Sequence, residues 1–378
     1  MKSSVRLAAI GGIATLATAF LTGTSLAATQ QDAPQQPGQV FVRTDAVTGN
    51  AITVYDRTAG GTLRAAGAYS TGGLGGVLGG SVVDHLASQG SLAYDGTRGL
   101  LYAVNAGSDT ITVFSVGGDR LIRRQVISSG GAFPVSIAVR GNLLYVLNAR
   151  DGGSVQGFLR IGDSLVKVPA WHRDLGLNPA QTPEFTSTPG QVAFTPDGSK
   201  LIVTTKGNGN DIDVFTVSPV GGLSVKPVVN ADPGNVPFAV SFDTGGHLAV
   251  AEAGPNAVAT FTVQPDGILS LVDRTATGQQ ATCWIARDGS LFYASNAGSG
   301  TVSVYGDNGS GTLQPLGRPA TDAGTVDATA TPDGQYLYVQ AGAKGIVDEY
   351  RVGQGGSLTE IGSVTVPGAA GAEGIAAS

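Results

Sequence analysis

The chain has 378 residues, of which 58 are glycine, 42% are hydrophobic and only 13% are charged. This composition is the opposite of that of disordered chains, and the formal net charge of −6 argues against a basic nucleic-acid-binding surface. One cysteine, Cys283, and three histidines exclude an internal disulfide framework and a cysteine-rich zinc site. We therefore expect a folded chain that uses no nucleic acid, no metal and no other cofactor.

The first 27 residues have the pattern of an export signal. Lys2 and Arg6 precede an apolar run over residues 7–21, and Ser25 and Ala27 have the −3 and −1 spacing of a signal-peptidase site. The run is short and interrupted by glycine and threonine, so an uncleaved membrane anchor is the weaker alternative. We predict a secreted or periplasmic protein with no membrane span after cleavage.

A polar, proline-containing linker at residues 28–37 precedes a repeat that fills residues 38–378. The segment 191–217 has the pattern strand, Pro-Asp-Gly turn, strand, Gly/Asn turn, strand, and similar segments begin at Ser91, Ser136, Val240, Trp284 and Ala328. The ends of the second strands recur at intervals of 43, 57, 47, 44 and 44 residues, at Asn105, Asn148, Thr205, Glu252, Asn296 and Gln340. This is the period of a four-stranded propeller blade.

The two ends of the repeat complete each other. Residues 40–70 contain a second, third and fourth strand but no first, whereas residues 374–378 resemble a first strand with nothing after it. We therefore predict an all-β, seven-bladed β-propeller with four antiparallel strands per blade. The C-terminal strand should close the ring by pairing with the N-terminal blade, which leaves no open edge between blades. We expect a monomer.

The predicted topology places the candidate site on one face. The turns between first and second strands are short, whereas the connections between blades carry long insertions at 70–90 and 169–190. Long loops in compact domains are often functional, so we place the site on this connection face, at the mouth of the central channel. His85 and His172 fall on this face, and His247 falls on the opposite one.

The repeat alignment brings further polar side chains to the channel mouth. Four residues start first strands or occupy comparable positions: Asp327, Glu373, Gln191 and Trp284. Arg150 and Lys206 follow the ends of second strands. A histidine, carboxylates and cations around one concavity suit general-base attack of water on a polarised carbonyl. The simpler alternative is that the asparagines cap turns and the axial carboxylates hold structural hydrogen bonds.

The repeated phrases QVAFTPDGSKLIVTT and LLYAVNAGSDTITVFSV resemble the seven-bladed propeller lactonase family over residues 38–378. That family includes bacterial propeller-type 6-phosphogluconolactonases and fungal 3-carboxymuconate cyclases. The loop HLASQGS is most similar to that of exported bacterial members. The resemblance implies a small lactone or sugar-like ligand, a catalytic histidine at His85 and an acidic residue at Glu252.

Two functions from different classes are consistent with these residues. In an exported lactone hydrolase or related cyclase, His85 would activate water, Glu252 or Asp327 would orient it or share the proton, and a cation would stabilise the oxyanion. The residues expected to contact substrate are Arg150, Lys206, Asn105, Asn296, Trp284, Glu373 and Gln191. The alternative is a non-catalytic propeller that binds an extracellular ligand or protein through the same face.

Overall fold

The computed structural model describes residues 38–378, so the predicted signal and linker lie outside the described residues. The strands of the first half are β1 Gln39–Arg43, β2 Ala51–Arg57, β3 Leu63–Ser70, β4 Leu92–Asp95, β5 Leu100–Asn105, β6 Thr110–Gly117, β7 Arg120–Ser128, β8 Pro134–Arg140, β9 Leu143–Asn148, β10 Ser154–Ile161, β11 Ser164–Asp174, β12 Val192–Phe194, β13 Lys200–Thr204 and β14 Asp211–Thr216. Two one-turn helices, α1 Glu184–Ser187 and α2 Lys206–Gly209, lie between them.

The strands of the second half are β15 Val228–Ala231, β16 Pro237–Phe242, β17 Leu248–Glu252, β18 Ala257–Val263, β19 Leu269–Ala276, β20 Thr282–Asp288, β21 Leu291–Asn296, β22 Thr301–Asp307, β23 Leu313–Gly317, β24 Thr325–Ala330, β25 Tyr336–Ala341, β26 Ile346–Val352, β27 Leu358–Thr365 and β28 Ile375–Ala377. Single 3₁₀ turns occur at Ala106–Ser108 and Gln354–Gly356.

These strands form seven antiparallel sheets of four strands each, which confirms the predicted seven-bladed propeller. Blades 2 to 7 are built from consecutive strands, β4–β7 through β24–β27. Blade 1 has the order β28-β1-β2-β3, with Ile375 opposite Val42 and Ala377 opposite Val40. The C-terminal strand therefore closes the ring as predicted, by hydrogen bonds rather than by chain continuity.

The core lies between neighbouring blades, because successive side chains of a strand point to opposite faces of its sheet. In β2, Ile52 and Val54 pack against Leu101 of blade 2, whereas Tyr55 packs against Tyr338 of blade 7. Both faces of the inner strands are buried in this way, which explains why these strands carry apolar side chains on both faces. Full burial of one such aliphatic side chain contributes about 1.5–3 kcal/mol.

The connection between β3 and β4, residues 71–91, crosses the channel mouth, and we call it the plug. Its contacts reach blades on several sides of the ring. The backbone N–H of His85 donates to the carbonyl of Gly371 at 2.7 Å, and Ser88 Oγ donates to the carbonyl of Val135 at 2.9 Å. The side-chain amide of Gln89 pairs with both backbone groups of Ile285, each at 2.8 Å. The long insertion thus closes the mouth and brings its own side chains to the axis.

The second insertion is shorter than predicted. Strand β11 continues to Asp174, so residues 169–174 belong to the outermost strand of blade 3 rather than to the loop. His172 is paired opposite Gln156 there, and its Nε2 lies 3.0 Å from a carboxylate oxygen of Asp174. It is therefore part of an outer strand and not of the loop at the channel mouth.

Ring closure makes a testable prediction. Ile375 is 5% exposed, and its side chain packs between blades 1 and 7. Ile375→Ala should lower the free energy of unfolding by about 2–4 kcal/mol, because it leaves a cavity beside the closing strand. Urea titration followed by circular dichroism measures this difference. Ile268→Ala is the matched control, since Ile268 is 51% exposed and should change stability by less than about 0.5 kcal/mol. Equal losses in the two variants would contradict the role of β28.

Candidate functional site

His85 lies in the plug with its side chain 27% exposed. Nδ1 is buried without a hydrogen-bond partner and is 3.9 Å from Oδ2 of Asp45, which is also unpartnered. The ring lies against Gly371, where a Cβ atom would come within 2.1 Å of Nε2. Only glycine at 371 leaves room for the imidazole. One ring nitrogen thus faces a buried carboxylate, and the other has no protein partner among residues 38–378.

Asp45 was not among the residues predicted from the sequence. It is fully buried, and its Oδ1 accepts hydrogen bonds from Arg43 at 2.6 Å and from the backbone N–H of Gly76 at 3.2 Å. Burial raises the pKa of Asp45, while the Arg43 guanidinium acts to lower it. A sequence signal existed: alignment of blade 1 with the other blades places Asp45 directly after a strand end, where Lys206 stands in blade 4.

Asp327 and Glu373 are brought together next to the axis and are buried. Glu373 Oε1 accepts from the backbone N–H of Gly90 at 2.8 Å, and Asp327 Oδ1 accepts from the backbone N–H of Ala328 at 2.9 Å. Burial raises the pKa of Asp327 to about 7, and burial together with the Asp327 charge raises the pKa of Glu373 well above its ordinary range. The two carboxyl groups therefore retain a proton between them near neutral pH.

A third carboxyl group, Asp84, joins this cluster from the plug and was also missed from the sequence. Its two oxygens accept the backbone N–H groups of Leu86 and Ser88, at 2.8 and 2.9 Å. Burial, with a further contribution from Glu373, raises the pKa of Asp84 to about 8. Its position next to His85 in the sequence was the available signal.

Lys206 and Trp284, both predicted to contact substrate, line one cavity of about 150 Å³ together with Asp84 and Cys283. Trp284 is buried, donates from Nε1 to the carbonyl of Ser88 at 2.8 Å, and packs edge-on against the Phe238 ring. His85 does not line this cavity. His85 therefore lies outside the cavity that Lys206 and Trp284 line.

Glu252 occupies a different environment from His85. Its two carboxylate oxygens accept hydrogen bonds from Arg274 of β19 at 2.6 and 2.8 Å, and Arg274 also contacts Asp232 at 3.4 Å. Burial raises the pKa of Glu252 to about 7, and Arg274 opposes this shift. Glu252 is fully buried in this ion network, and its shortest hydrogen bond, of 2.6 Å, comes from Arg274 on the outermost strand of blade 5.

Asn105 and Asn296 are fully buried within their blades. Asn105 Nδ2 donates to the hydroxyls of Thr110 and Thr112, and Asn296 Nδ2 donates to the hydroxyl of Ser303 at 3.0 Å. Both amides also accept a hydrogen bond, at 3.0 Å from Asn50 and at 2.6 Å from Thr282. These bonds match the turn-capping alternative, since each side chain ties the end of a second strand to its surroundings.

Gln191 and Arg150 remain at the connection face. Gln191 Oε1 accepts from the backbone N–H of Val240 at 2.6 Å, which links blades 4 and 5. The Arg150 side chain is 42% exposed, forms an ion pair of 2.7 Å with Glu184 and donates to the carbonyl of Val77 in the plug at 3.3 Å. Arg150 is thus the predicted cation whose charged group is open to solvent at this face.

Residues 38–378 contain no group of three or more histidine, cysteine or acidic residues arranged to hold a metal ion. Within the same residues, no helix has the length and apolar character needed to cross a bilayer.

Comparisons with known proteins identify the fold. No protein-family model and no curated protein matches the chain. A periplasmic gluconolactonase from Pseudomonas aeruginosa has a TM-score of 0.72 at 17% identity, over 90% of this chain and 98% of that one. A Bacteroides fragilis protein provisionally assigned as a 6-phosphogluconolactonase has a TM-score of 0.70 at 18% identity, over 92% and 99% of the two chains.

The fold alone does not identify a reaction. The virginiamycin B lyase of Staphylococcus aureus has a TM-score of 0.54 at 11% identity, over 78% of this chain and 90% of that one. The chain is thus similar in fold both to a protein named as a gluconolactonase and to a protein named as a lyase. The similarity to propeller lactonases is confirmed at the level of the fold.

The buried carboxyl cluster should make stability depend on pH. Because the pKa of Asp327 is raised from 3.8 to about 7, the unfolded chain loses this proton first, and stability falls as pH rises through that interval. In Asp327→Asn, an amide that does not titrate replaces the carboxyl group. The free energy of unfolding of this variant minus that of wild type should therefore be larger at pH 8 than at pH 4.5, by more than about 1 kcal/mol.

Denaturant titrations of both proteins at the two pH values measure this difference. The control is Asp119→Asn, which replaces an exposed carboxylate on a turn and should show no such pH dependence. If the free energies of unfolding of Asp327→Asn and wild type differed by the same amount at both pH values, the raised pKa of Asp327 would be contradicted.

Proposed function

We propose that this chain is an exported propeller lactonase that hydrolyses a small lactone at the channel mouth, with His85 as the general base. The observation that supports the proposal most directly is the pairing of a partly exposed imidazole with a fully buried carboxylate. His85 Nδ1 lies 3.9 Å from Asp45, while its Nε2 has no partner among residues 38–378. The similarity in fold to a periplasmic gluconolactonase is consistent with this chemistry.

In the proposed reaction, Nε2 of His85 accepts a proton from water while the water oxygen bonds to the lactone carbonyl carbon. The buried Asp45 charge would stabilise the imidazolium and orient the ring, as the acidic member does in other histidine-based hydrolases. The imidazolium would then return the proton to the ring oxygen as the carbon–oxygen bond breaks. The products are a hydroxy acid and the neutral histidine.

Asp45 takes the position next to His85 that the sequence analysis expected for Glu252 or Asp327. Of the two predicted cations, Arg150 is the better candidate for the oxyanion. Its guanidinium is accessible and contacts the carbonyl of Val77, and the next residue of the plug donates its N–H to the carbonyl of His85 at 2.8 Å. The Lys206 amine, in contrast, is enclosed and already has three acceptors.

The proposal is tested by the hydrolysis of a panel of small γ- and δ-lactones. The purified protein should exceed a buffer blank, and His85→Ala should lower kcat/KM by at least about 10²-fold, because the general base is lost. The blank is essential because δ-lactones open without a catalyst. Asp45→Asn should lower kcat by about tenfold or more with KM nearly unchanged, because Asp45 positions the base without contacting substrate.

His172→Gln is the matched control, since this histidine also faces a carboxylate but lies on an outer strand. It should retain wild-type rates, and thermal melting should show that every variant is folded. Rates equal to the blank for wild type and all variants would overturn the proposal and favour the non-catalytic binding propeller.

Export is the second part of the proposal and makes its own prediction. Expression of the full chain in a bacterial host should yield protein outside the cytoplasm that begins at Ala28, as determined by intact mass. Ala27→Leu should retain the uncleaved precursor, because the −1 position of the cleavage site requires a small residue. Recovery of only full-length protein in the cytoplasm, for both sequences, would show that the segment is not a signal.

A further inference from the structure

The cavity beside the plug has an exposed rim and a buried floor. Val82 of the plug, which is 79% exposed, and Ala281 lie at the rim. Lys206, Phe238 and Trp284 line the floor and are buried. The volume of about 150 Å³ is similar to that of a dry, engineered apolar cavity that binds benzene. A compact molecule on the order of six to eight non-hydrogen atoms would fill the cavity.

The lining is mostly apolar and is rich in aromatic rings. Phe185 of α1 forms one part of it, and the pair Phe238 and Trp284 forms another. The ring centroids of this pair are 5.1 Å apart at an interplanar angle of 60°, which is the edge-to-face geometry that aromatic rings prefer. Cys283 adds a sulfur atom, which contacts aromatic rings favourably. A solvent-accessible apolar surface of this kind is typical of a binding site.

The polar side chains of the lining are already hydrogen-bonded within the protein. Lys206 Nζ donates to two backbone carbonyls at 2.5 and 2.7 Å and to a hydroxyl at 3.0 Å, which uses all three N–H groups of the ammonium. Both oxygens of Asp84 accept backbone N–H groups, and Trp284 Nε1 and Thr186 Oγ1 each donate to a backbone carbonyl. A charged ligand would therefore lose its hydration here without compensation.

The backbone around the cavity is strained. Ten residues other than glycine have a positive φ among residues 38–378, and four of them line this cavity: Ala87, Lys206, Val236 and Ala281. Val236 has a φ of +51°, which is a genuine outlier for a β-branched residue. Backbone strain of this kind is concentrated at ligand sites, where the surrounding structure maintains it.

Comparison between blades shows what this strain achieves. In blades 7 and 1, the residue directly before the first strand is a glycine, Gly324 or Gly374, which adopts a positive φ at little cost. Blades 3, 5 and 6 have Phe133, Val236 and Ala281 at that position, also with positive φ. In blades 5 and 6 the side chain present there lines the cavity. The chain thus carries strain at two positions that complete the apolar wall.

We propose that this cavity is a second ligand site, which takes an uncharged molecule with a single aromatic ring. The ring would contact Phe238 and Trp284 at the floor and Val83 of the plug at the side, and apolar contact would hold it in place. Binding requires no covalent step and no proton transfer.

This site does not depend on lactone hydrolysis. His85 does not line the cavity, and the probes used below contain no lactone. The two proposals can therefore fail independently.

The test is quenching of tryptophan fluorescence by iodobenzene, whose iodine atom quenches an indole that it contacts. The chain has two tryptophans, Trp171 and Trp284. Quenching should be saturable, with half-saturation below about 1 mM. Trp171→Phe should retain the saturable quenching, because Trp284 lines the cavity. Trp284→Phe should lose it and show only the linear quenching of free collisions.

A second pair of variants tests the cavity itself. Ala297→Leu should abolish saturable quenching, because Ala297 lines the cavity and is partly exposed, so that a larger side chain fills the space. Ala170→Leu is the matched control, since Ala170 is exposed on the outer strand β11 and its replacement should leave quenching unchanged.

Competition on the unmodified protein keeps the test decisive if a variant does not fold. Benzene, which does not quench, should raise the half-saturating concentration of iodobenzene by at least about threefold. Cyclohexane at the same concentration should compete less well, and benzoate, which has the same ring with a charge, should not compete. Strictly linear quenching of the wild-type protein, or competition by cyclohexane or benzoate equal to that by benzene, would overturn the proposal.

Discussion

The closed ring and the mouth of the channel both depend on the hydrogen bonds that the guanidinium of Arg43 donates. This guanidinium links the ring-closing segment to the plug. It is fully buried, and its donors reach three separate segments. Nε donates to Ser91 at the end of the plug, and one terminal nitrogen donates to Asp45. The other donates to the carbonyl of Glu373, just before the ring-closing strand. A buried charge is tolerated only when its donors are satisfied, so these three segments are held in one arrangement.

This arrangement also fixes the positions of the titratable side chains in the plug. The plug is tied to Arg43 at one end and to Gly371 and Ile285 along its length, so its backbone has a defined path across the mouth. Asp84 and His85 are consecutive, and only Asp84 lines the apolar cavity, while His85 contacts Asp45. One short segment thereby places a carboxyl group at the cavity and an imidazole beside Asp45.

Desolvation determines much of the chemistry at the mouth. Because the carboxyl cluster is enclosed, Asp84, Asp327 and Glu373 hold protons to higher pH than exposed acids do. The same burial disfavours the ammonium form of Lys206. A propeller provides such a site readily, since the inner strands of all seven blades converge on one axis. The fold thus accounts for the shifted acidities, whereas the individual side chains determine which reaction could follow.

The sequence by itself determined the architecture. Blade number, strand order and closure by residues 375–377 follow from strand periodicity and turn residues, which are local properties repeated along the chain. It also indicated the long connection at 70–90 and its His85, because an insertion on one face is visible without coordinates. Only the tertiary structure decided what each polar residue contacts. Glu252 is bound by Arg274. The partner of His85 is Asp45, which lies in the turn between β1 and β2 of blade 1, far from the plug in the sequence. Contacts between distant segments set the burial and charge around a side chain, and a local pattern does not contain them.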